Sequence, residues 1–263
     1  MQETWIRWSG VDDVDRPAAW LTTVASRLAI DRLRSAQHRR ESYVGTWLPE
    51  PIVSAGDDPA AIVELNESLT LGFLTMLDRL DPVDRAVFLL RDVFDMPYGD
   101  VATALGKSEA NCRQIAKRAR ERVRSDRQPR AVDPRRREEL LDAFLAAVLS
   151  GSPEQLSPLL TEDAVHLSDG GAAVRAARRP VVGRERVARF LANIATRVPP
   201  EALNIERVDL NGQPGWLVRL LGEAYLLLEV EFDGDLVHRV HAVSNPEKVA
   251  AALRASSLRP PSD

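Results

Sequence analysis

The sequence predicts a multidomain protein, all-α in its first half and α+β in its second. Apolar residues recur at helical spacing over residues 17–41 and again over 60–94. Two short helical segments near 98–105 and 108–124 are separated by a glycine stop and a serine cap. Four runs of alternating apolar and polar residues follow between 202 and 243, joined by turn residues. At 263 residues the chain exceeds the roughly 150 residues of one domain.

The first helix is predicted in "RPAAWLTTVASRLAIDRLRSAQHRR". Trp20, Leu21, Val24, Leu28 and Leu33 share its apolar side with Ala25, Ala29 and Ile30, and Pro17 near its start lacks only an amide proton that would be unpaired anyway. "GTWLPEP", Gly45 to Pro51, then places a tryptophan and two prolines between helical blocks, and Glu50 to Pro59 reads as a linker. Helical periodicity returns from Ala60 to Phe94. In "MPYGDVATALGKSEANCRQIAKRARERVR" a helix over Tyr98–Leu105 ends at Gly106, and Ser108 caps the next. Cys112, Ile115, Ala116, Ala119 and Val123 fall on one face of that helix; Arg113, Gln114, Lys117, Glu121 and Arg124 fall on the other. Helix, glycine-containing turn and basic second helix form a helix-turn-helix signature. Such a helix fits the major groove, where Arg and Lys read guanine and Asn and Gln read adenine. The expected DNA contacts are Ser108, Glu109, Asn111, Arg113, Gln114, Lys117 and Arg118.

Composition narrows the function. The net charge of -4 and pI near 5.7 argue against a uniformly basic nucleic-acid binder, but the charge is segregated. Lys107 to Arg137 carries 12 Lys and Arg against 4 acids, Arg27 to Arg40 carries 5 Arg against Asp31, and the stretch between them carries 12 acids against 3 Arg. Two basic blocks separated by an acidic one make a pattern that the average conceals, although either block alone reads as a solvated helix face. No window holds the ~18 apolar residues of a membrane span, and no signal peptide opens the chain, so a cytoplasmic protein without a membrane partner is expected. Cys112 is the one cysteine, which excludes an internal disulfide and a thiolate zinc site and suggests a small buried hydrophobe.

The two basic helices together resemble a known family. "QETWIRW" with "AAWLTTVASRLAIDRLR" resembles the end of region two of bacterial RNA polymerase sigma factors of the extracytoplasmic-function (ECF) class. "LDRLDPVDRAVFLLRDVFDMPYGDVATALGKSEANCRQIAKRARERVR" resembles region four. The resemblance implies core RNA polymerase and promoter DNA as partners, with the first block melting the minus-ten element and the helix-turn-helix reading the minus-35 element. Carried over, the minus-ten contacts come from the loop Ser9 to Arg16 and from Ser26, Arg27 and Arg34; Ser26-Arg27 stands where many relatives have Arg-Asn. Trp5 and Trp8 are candidates for stacking on unpaired bases, whereas Trp20, on an apolar helical face, is expected in the core. The family ordinarily begins earlier, so Met1 to Trp5 falls inside region two.

The linker and the C-terminal half resemble a subgroup, the SigJ-like ECF factors, whose linker carries "WLPEP" and whose chain ends in a SnoaL-like domain, an α+β cone related to the cystatin-like folds. "ALNIERVDL", "GWLVRLL", "AYLLLEVEF" and "LVHRVHAV", separated by "NGQPG", "GE" and "DGD", fit its curved antiparallel sheet. "DGG", Asp169-Gly170-Gly171, resembles the subgroup's DGGGK motif, with Ala172 and Ala173 at its end, and "NPEK", Asn245-Pro246-Glu247-Lys248, resembles NPDK. The resemblance implies that this domain regulates the sigma factor within one chain. Prolines stiffen the linker, and Trp47, Leu48, Pro49, Glu50 and Pro51 are expected to dock on the third domain near these two motifs. The expected boundaries are partial region two over 1–44, linker 45–62, region four 63–128, a second linker 129–137, the cone 138–253 and a tail 254–263.

A cone encloses a pocket, so the candidates for a small-ligand site or a general acid-base group are His166, Asp169, His238 and His241, with Trp216 and Tyr225 as walls. His238 and His241 differ by an odd number and on one regular strand face opposite sides. No spacing suggests a metal site, and neither cofactor nor catalysis is expected. The alternative reading is a one-component helix-turn-helix regulator with a SnoaL-like ligand-binding or enzymatic domain.

Overall fold

A computed structural model describes residues 2–11, 14–41, 43–54, 71–78, 80–124, 130 and 132–257. The chain divides into two compact units, one built from Met1–Ser42 and Met76–Arg127, the other from Tyr43–Thr75 and Gln128–Asp263.

In the first unit Trp8, at the end of α1 (Gln2–Trp8), meets Trp20, near the start of α2 (Pro17–Glu41), edge to face at 5.4 Å. The helical block expected over 60–94 is interrupted. After α3 (Leu71–Asp78), Asp81 and Pro82 start α4 (Pro82–Phe88), because proline fits a first helical turn but not an interior. One π-helical turn, Leu89–Val93, closes it, and residues 55–70 lie outside the described part of the chain. Next come α5 (Tyr98–Leu105) and α6 (Glu109–Arg124). Val87, Val101, Cys112, Ile115 and Ala116 form a closed apolar cluster among α4, α5 and α6, with the Cys112 thiol buried as expected. α2 packs on α4 and α5 within the same unit.

In the second unit α7 (Pro134–Leu149) starts at Asp133, whose carboxylate accepts from the amides of Arg135 and Arg136. A short α8 (Pro153–Leu156), β2 (Leu160–Asp169), β3 (Val181–Val182) and α9 (Arg184–Ala195) follow. The four alternating runs form β4 (Leu203–Leu210), β5 (Gln213–Leu220), β6 (Glu223–Asp233) and β7 (Leu236–Val243). Asn211-Gly212 and Leu221-Gly222, all at positive φ, turn the first two hairpins. β7 pairs in parallel with β2, and with β1 (Val53–Ser54) at one edge the sheet runs in the order β1-β4-β5-β6-β7-β2-β3. This is the helices-then-sheet cone expected from the SnoaL-like resemblance. Two elements are additional: β1 (Val53–Ser54), contributed by the linker, and a last helix α10 (Pro246–Ser257) that begins inside "NPEK".

The sheet has two buried faces. Leu228, Val230, Phe232, Val240 and Ala242 meet Phe144 of α7, Leu156 of α8 and Leu191 of α9. On the other face Leu217, Leu227 and Val243 meet Leu48 and Val53 of the linker and Val249 and Ala252 of α10.

Candidate functional site

In the first unit the helix-turn-helix is built locally. Gly106 adopts φ 63°, ψ 39° after α5, a left-handed cap that suits glycine, and Ser108 Oγ accepts from the amide of Asn111 at 3.2 Å. Every apolar residue assigned to the inner face of α6 is at least half-buried. Glu109, Asn111, Arg113, Gln114, Lys117 and Arg118 are exposed, as is Ser108 just before the helix. The cations divide by their partners. Arg120 donates to Asp92 at 2.8 Å and to Tyr98, and Arg122 reaches Asp81 and Asp84 at 3.2 and 3.1 Å. These two tie α6 to the preceding helices. Arg118 sits 3.5 Å from the buried Asp84 while remaining largely exposed. Arg113 lies over the Tyr98 ring at 5.1 Å and pairs with Glu109 at 2.8 Å, and Lys117 faces Glu121 at 4.0 Å. On α2, Arg27 and Arg34 are exposed and Ser26 is half-buried. Trp5 is 68% exposed, whereas Trp8 and Trp20 are each half-buried against the other. Asp12 and Asp13 of the expected minus-ten loop lie outside the described residues.

In the second unit the linker is clamped to the cone. Asp169, fully buried at the end of β2, is the centre. One carboxylate oxygen accepts from Lys248 Nζ at 2.7 Å and from the Leu48 amide at 2.9 Å; the other accepts from the Tyr43 hydroxyl and from the Gly171 amide at 3.1 Å. Lys248 Nζ also donates to the Leu48 carbonyl and lies 3.2 Å from the centroid of the Trp47 ring, a cation–π contact. Trp47 meets Tyr43 edge to face at 4.9 Å, and Asn245 Nδ2 donates to the Tyr43 hydroxyl at 2.7 Å. Burial and the hydrogen bond to Asp169 push the Tyr43 phenol up to about 12. Gly171 sits at φ 59° with Asn245 Nδ2 only 2.8 Å from where a Cβ would stand, so a larger residue would displace the asparagine. Beyond Pro51 the linker joins the sheet: Ile52 and Asn211 exchange two hydrogen bonds, and Val53 pairs with Leu210. The structure therefore brings together Trp47, Leu48, Asp169, Gly171, Asn245 and Lys248. Pro49 is half-buried, and Pro51 and Gly170 are buried beside them. Glu50, Pro246 and Glu247 face outward. Sequence reasoning missed Tyr43 and Asn211, which carry no motif of their own.

The catalytic candidates are dispersed. His166 packs on Phe190 with Nε2 3.0 Å from Ser168 Oγ on the helix-covered face. His238 lies near Thr161 and Asp163, and His241 lies beside Glu231 on the other face. The strand is not regular between the last two: the β6–β7 register shifts there, so Val237 and Val240, three residues apart, join the same core. Trp216 is buried against Phe144 and Arg207, and Tyr225 is exposed. A cavity of about 340 Å³ lies beside the clamp instead, lined by Gly45, Ser168, Gly170, Arg175 and Arg178 among others.

Burial lowers His166 and His241 to about 3, the first with help from His241 and the second from Arg239. A histidine lowered on folding stabilises above its unfolded value near 6.5 and loses that contribution as pH falls toward 3. Between pH 7 and 5 each should cost roughly 2 kcal/mol of stability. Urea midpoints measured across that range should fall, and His166→Gln should remove about half of the drop. An unchanged slope would show that His166 takes up its proton over the same pH range in the folded and the unfolded chain.

The comparisons agree with this geometry. Residues 1–39 match the family model "Sigma-70 region 2" and residues 71–123 match "Sigma-70, region 4". The ECF RNA polymerase sigma factor SigJ of Mycobacterium tuberculosis is 40% identical over 223 residues, covering 82% of this chain and 70% of the relative. A probable ECF sigma factor of that species, SigI, is 29% identical over 238 residues, covering 90% and 79%. The crystal structure of M. tuberculosis SigJ superposes with a TM-score of 0.75 at 32% identity, covering 95% of this chain and 88% of that one. Among the described residues no helix is long and apolar enough to cross a membrane. A helix-turn-helix with a basic outer face, a region-two helix pair and this extent of identity to SigJ establish that the chain belongs to the extracytoplasmic-function sigma factors of bacterial RNA polymerase.

Proposed function

We propose that this sigma factor reads its minus-35 element through Ser108, Glu109, Asn111, Arg113, Gln114, Lys117 and Arg118 and its minus-ten element through Ser26, Arg27 and Arg34, and that its C-terminal domain restrains it by clamping the linker. The observation that carries the second part is Leu48. It is wholly buried on the cone, with its amide on Asp169 and its carbonyl on Lys248.

The restraint is one of reach. Elements named for minus 35 and minus ten are about 25 base pairs apart, on the order of 85 Å at ~3.4 Å per base pair. Regions two and four pack together in the first unit through α2, α4 and α5, so both elements are read only after the two separate. Residues 43–54, held on the cone, would add up to roughly 40 Å of tether if released. Clamped, they limit opening.

The cone has no catalytic role in this reading. Trp216, Phe144, Leu156 and Leu191 fill its interior, and His166 and His241 are neutral and buried. A small ligand would instead enter the cavity beside the clamp and act on the linker. Purified core RNA polymerase and a promoter series with varied spacer length test the proposal. Leu48→Asp should raise run-off transcription and widen the range of spacers used. Unchanged output from a variant whose linker has become protease-sensitive would refute the restraint.

A further inference from the structure

The sheet face that holds the linker also carries three chemistry-bearing side chains that the clamp does not use. Odd-numbered residues of β6 point to this face, since Leu227 joins the Leu48 cluster while Leu228 and Val230 join the helix-covered one. Glu229 and Glu231 therefore lie side by side, and the register places His241 of β7 directly opposite Glu229. The ligand atoms of the three residues all lie within 4.8 Å of one another. Glu229 and His241 are each 1% exposed.

His241 supplies the second observation. Neither ring nitrogen has a hydrogen-bond partner, although leaving a buried polar group unsatisfied is costly. Glu231 turns Oε2 toward Arg239 Nη1 at 3.8 Å and Oε1 toward His241 Nδ1 at 3.5 Å. The arginine thus occupies one carboxylate oxygen and leaves the other directed at the imidazole. Two carboxylates and a neutral imidazole are the donor set of zinc and related divalent ions, with at least one coordination position left open.

We propose that Glu229, Glu231 and His241 form a binding site for one divalent transition-metal ion, of which Zn²⁺ is the natural candidate. Oxygen and nitrogen ligands sit about 2.0–2.2 Å from zinc, so the three donors must close by about an ångström, within the reach of glutamate rotamers. The ion would staple β6 to β7 two residue pairs along from Leu227 and Val243, which belong to the cluster beneath Leu48. The inference does not depend on how promoters are read.

The probes are Zn²⁺, in competition with a chromophoric chelator, and Co²⁺, followed by its visible absorption, on the full chain freed of metal. One ion per chain is expected, with a higher unfolding temperature in its presence. His241→Gln and Glu229→Gln should each weaken binding at least tenfold, while His38→Gln, at an exposed helical position, should not. Crystals of the unmutated chain grown with Zn²⁺ should show an anomalous peak between the three residues, which keeps the test valid if a variant fails to fold. No stoichiometric binding, binding equally strong in His241→Gln, or a peak elsewhere would overturn the site.

Discussion

Asp169→Ala is expected to destabilise the C-terminal unit by about 3–5 kcal/mol and to release the linker. The magnitude follows from what the substitution strands. Lys248 is 4% exposed and Asp169 wholly buried, so removing the carboxylate strips the ammonium of its counter-charge in a setting made largely of the Leu48 carbonyl and the Trp47 and Tyr43 rings. The Leu48 amide loses its acceptor at the same time, and a buried unpaired amide costs a further part of that total. Asp169→Asn should cost less, because the amide oxygen can still accept from Leu48. Lys248→Met should also cost less, because its methylenes and thioether fill the space beside Trp47. In the double variant Asp169→Leu with Lys248→Met the loss should fall well short of the two single losses added together, the mark of a coupled pair. Urea unfolding gives the energies, and limited proteolysis of residues 43–54 reports the release. A loss below about 1 kcal/mol for Asp169→Ala would mean that the pair is solvated, and the clamp would then be no clamp.

How much of this was readable beforehand varies with the range of the interaction. The helix-turn-helix was legible because Gly106 and Ser108 act on their immediate neighbours and the faces of α6 are set by a fixed period. The four long strands were legible for the same reason, since alternation and the Asn211-Gly212 turn are local. The break at Asp81-Pro82 left its signal in the proline, yet the periodicity of 60–94 overrode it. β1 could not be seen: two residues carry no alternation, and Val53 is a strand only because Leu210 offers an open edge. Tyr43 has no local signature either. It becomes a clamp residue by meeting Asp169, 126 positions away. The motifs Asp169-Gly170-Gly171 and Asn245 to Lys248 lie where the linker packs on the cone, but only the fold shows that Asp169 and Lys248 pair with each other and that Glu247 points away. Parity on β7 failed at the register shift, and the Glu229–Glu231–His241 cluster escaped notice because cross-strand pairing, not sequence spacing, assembles it.

For the helix-turn-helix the expected result is a division of labour along α6. Gln114 is exposed near the start of the helix, where side chains reach base edges, and Arg113 stands beside it with its guanidinium held over Tyr98. A bidentate contact from either is worth about 1–3 kcal/mol of discrimination. The double variant Arg113→Ala with Gln114→Ala should therefore cost about 2–4 kcal/mol, roughly 30- to 1000-fold in transcription from a promoter with an intact minus-35 element. The same variant should lose little on a promoter whose minus-35 bases are already scrambled, because the contacts it removes are then absent. Lys117→Ala should behave differently, weakening all promoters alike and lowering the slope of log affinity against log salt by about 1, as expected for a phosphate contact. Arg120→Ala and Arg122→Ala should act chiefly on folding, since their guanidinium groups are committed to Asp92 and to Asp81 and Asp84. Run-off transcription with core RNA polymerase on paired promoters separates the three classes. If the Arg113 and Gln114 double variant were equally defective on intact and scrambled minus-35 elements, these side chains would be positioning the helix on phosphates and the bases would be read from elsewhere on α6.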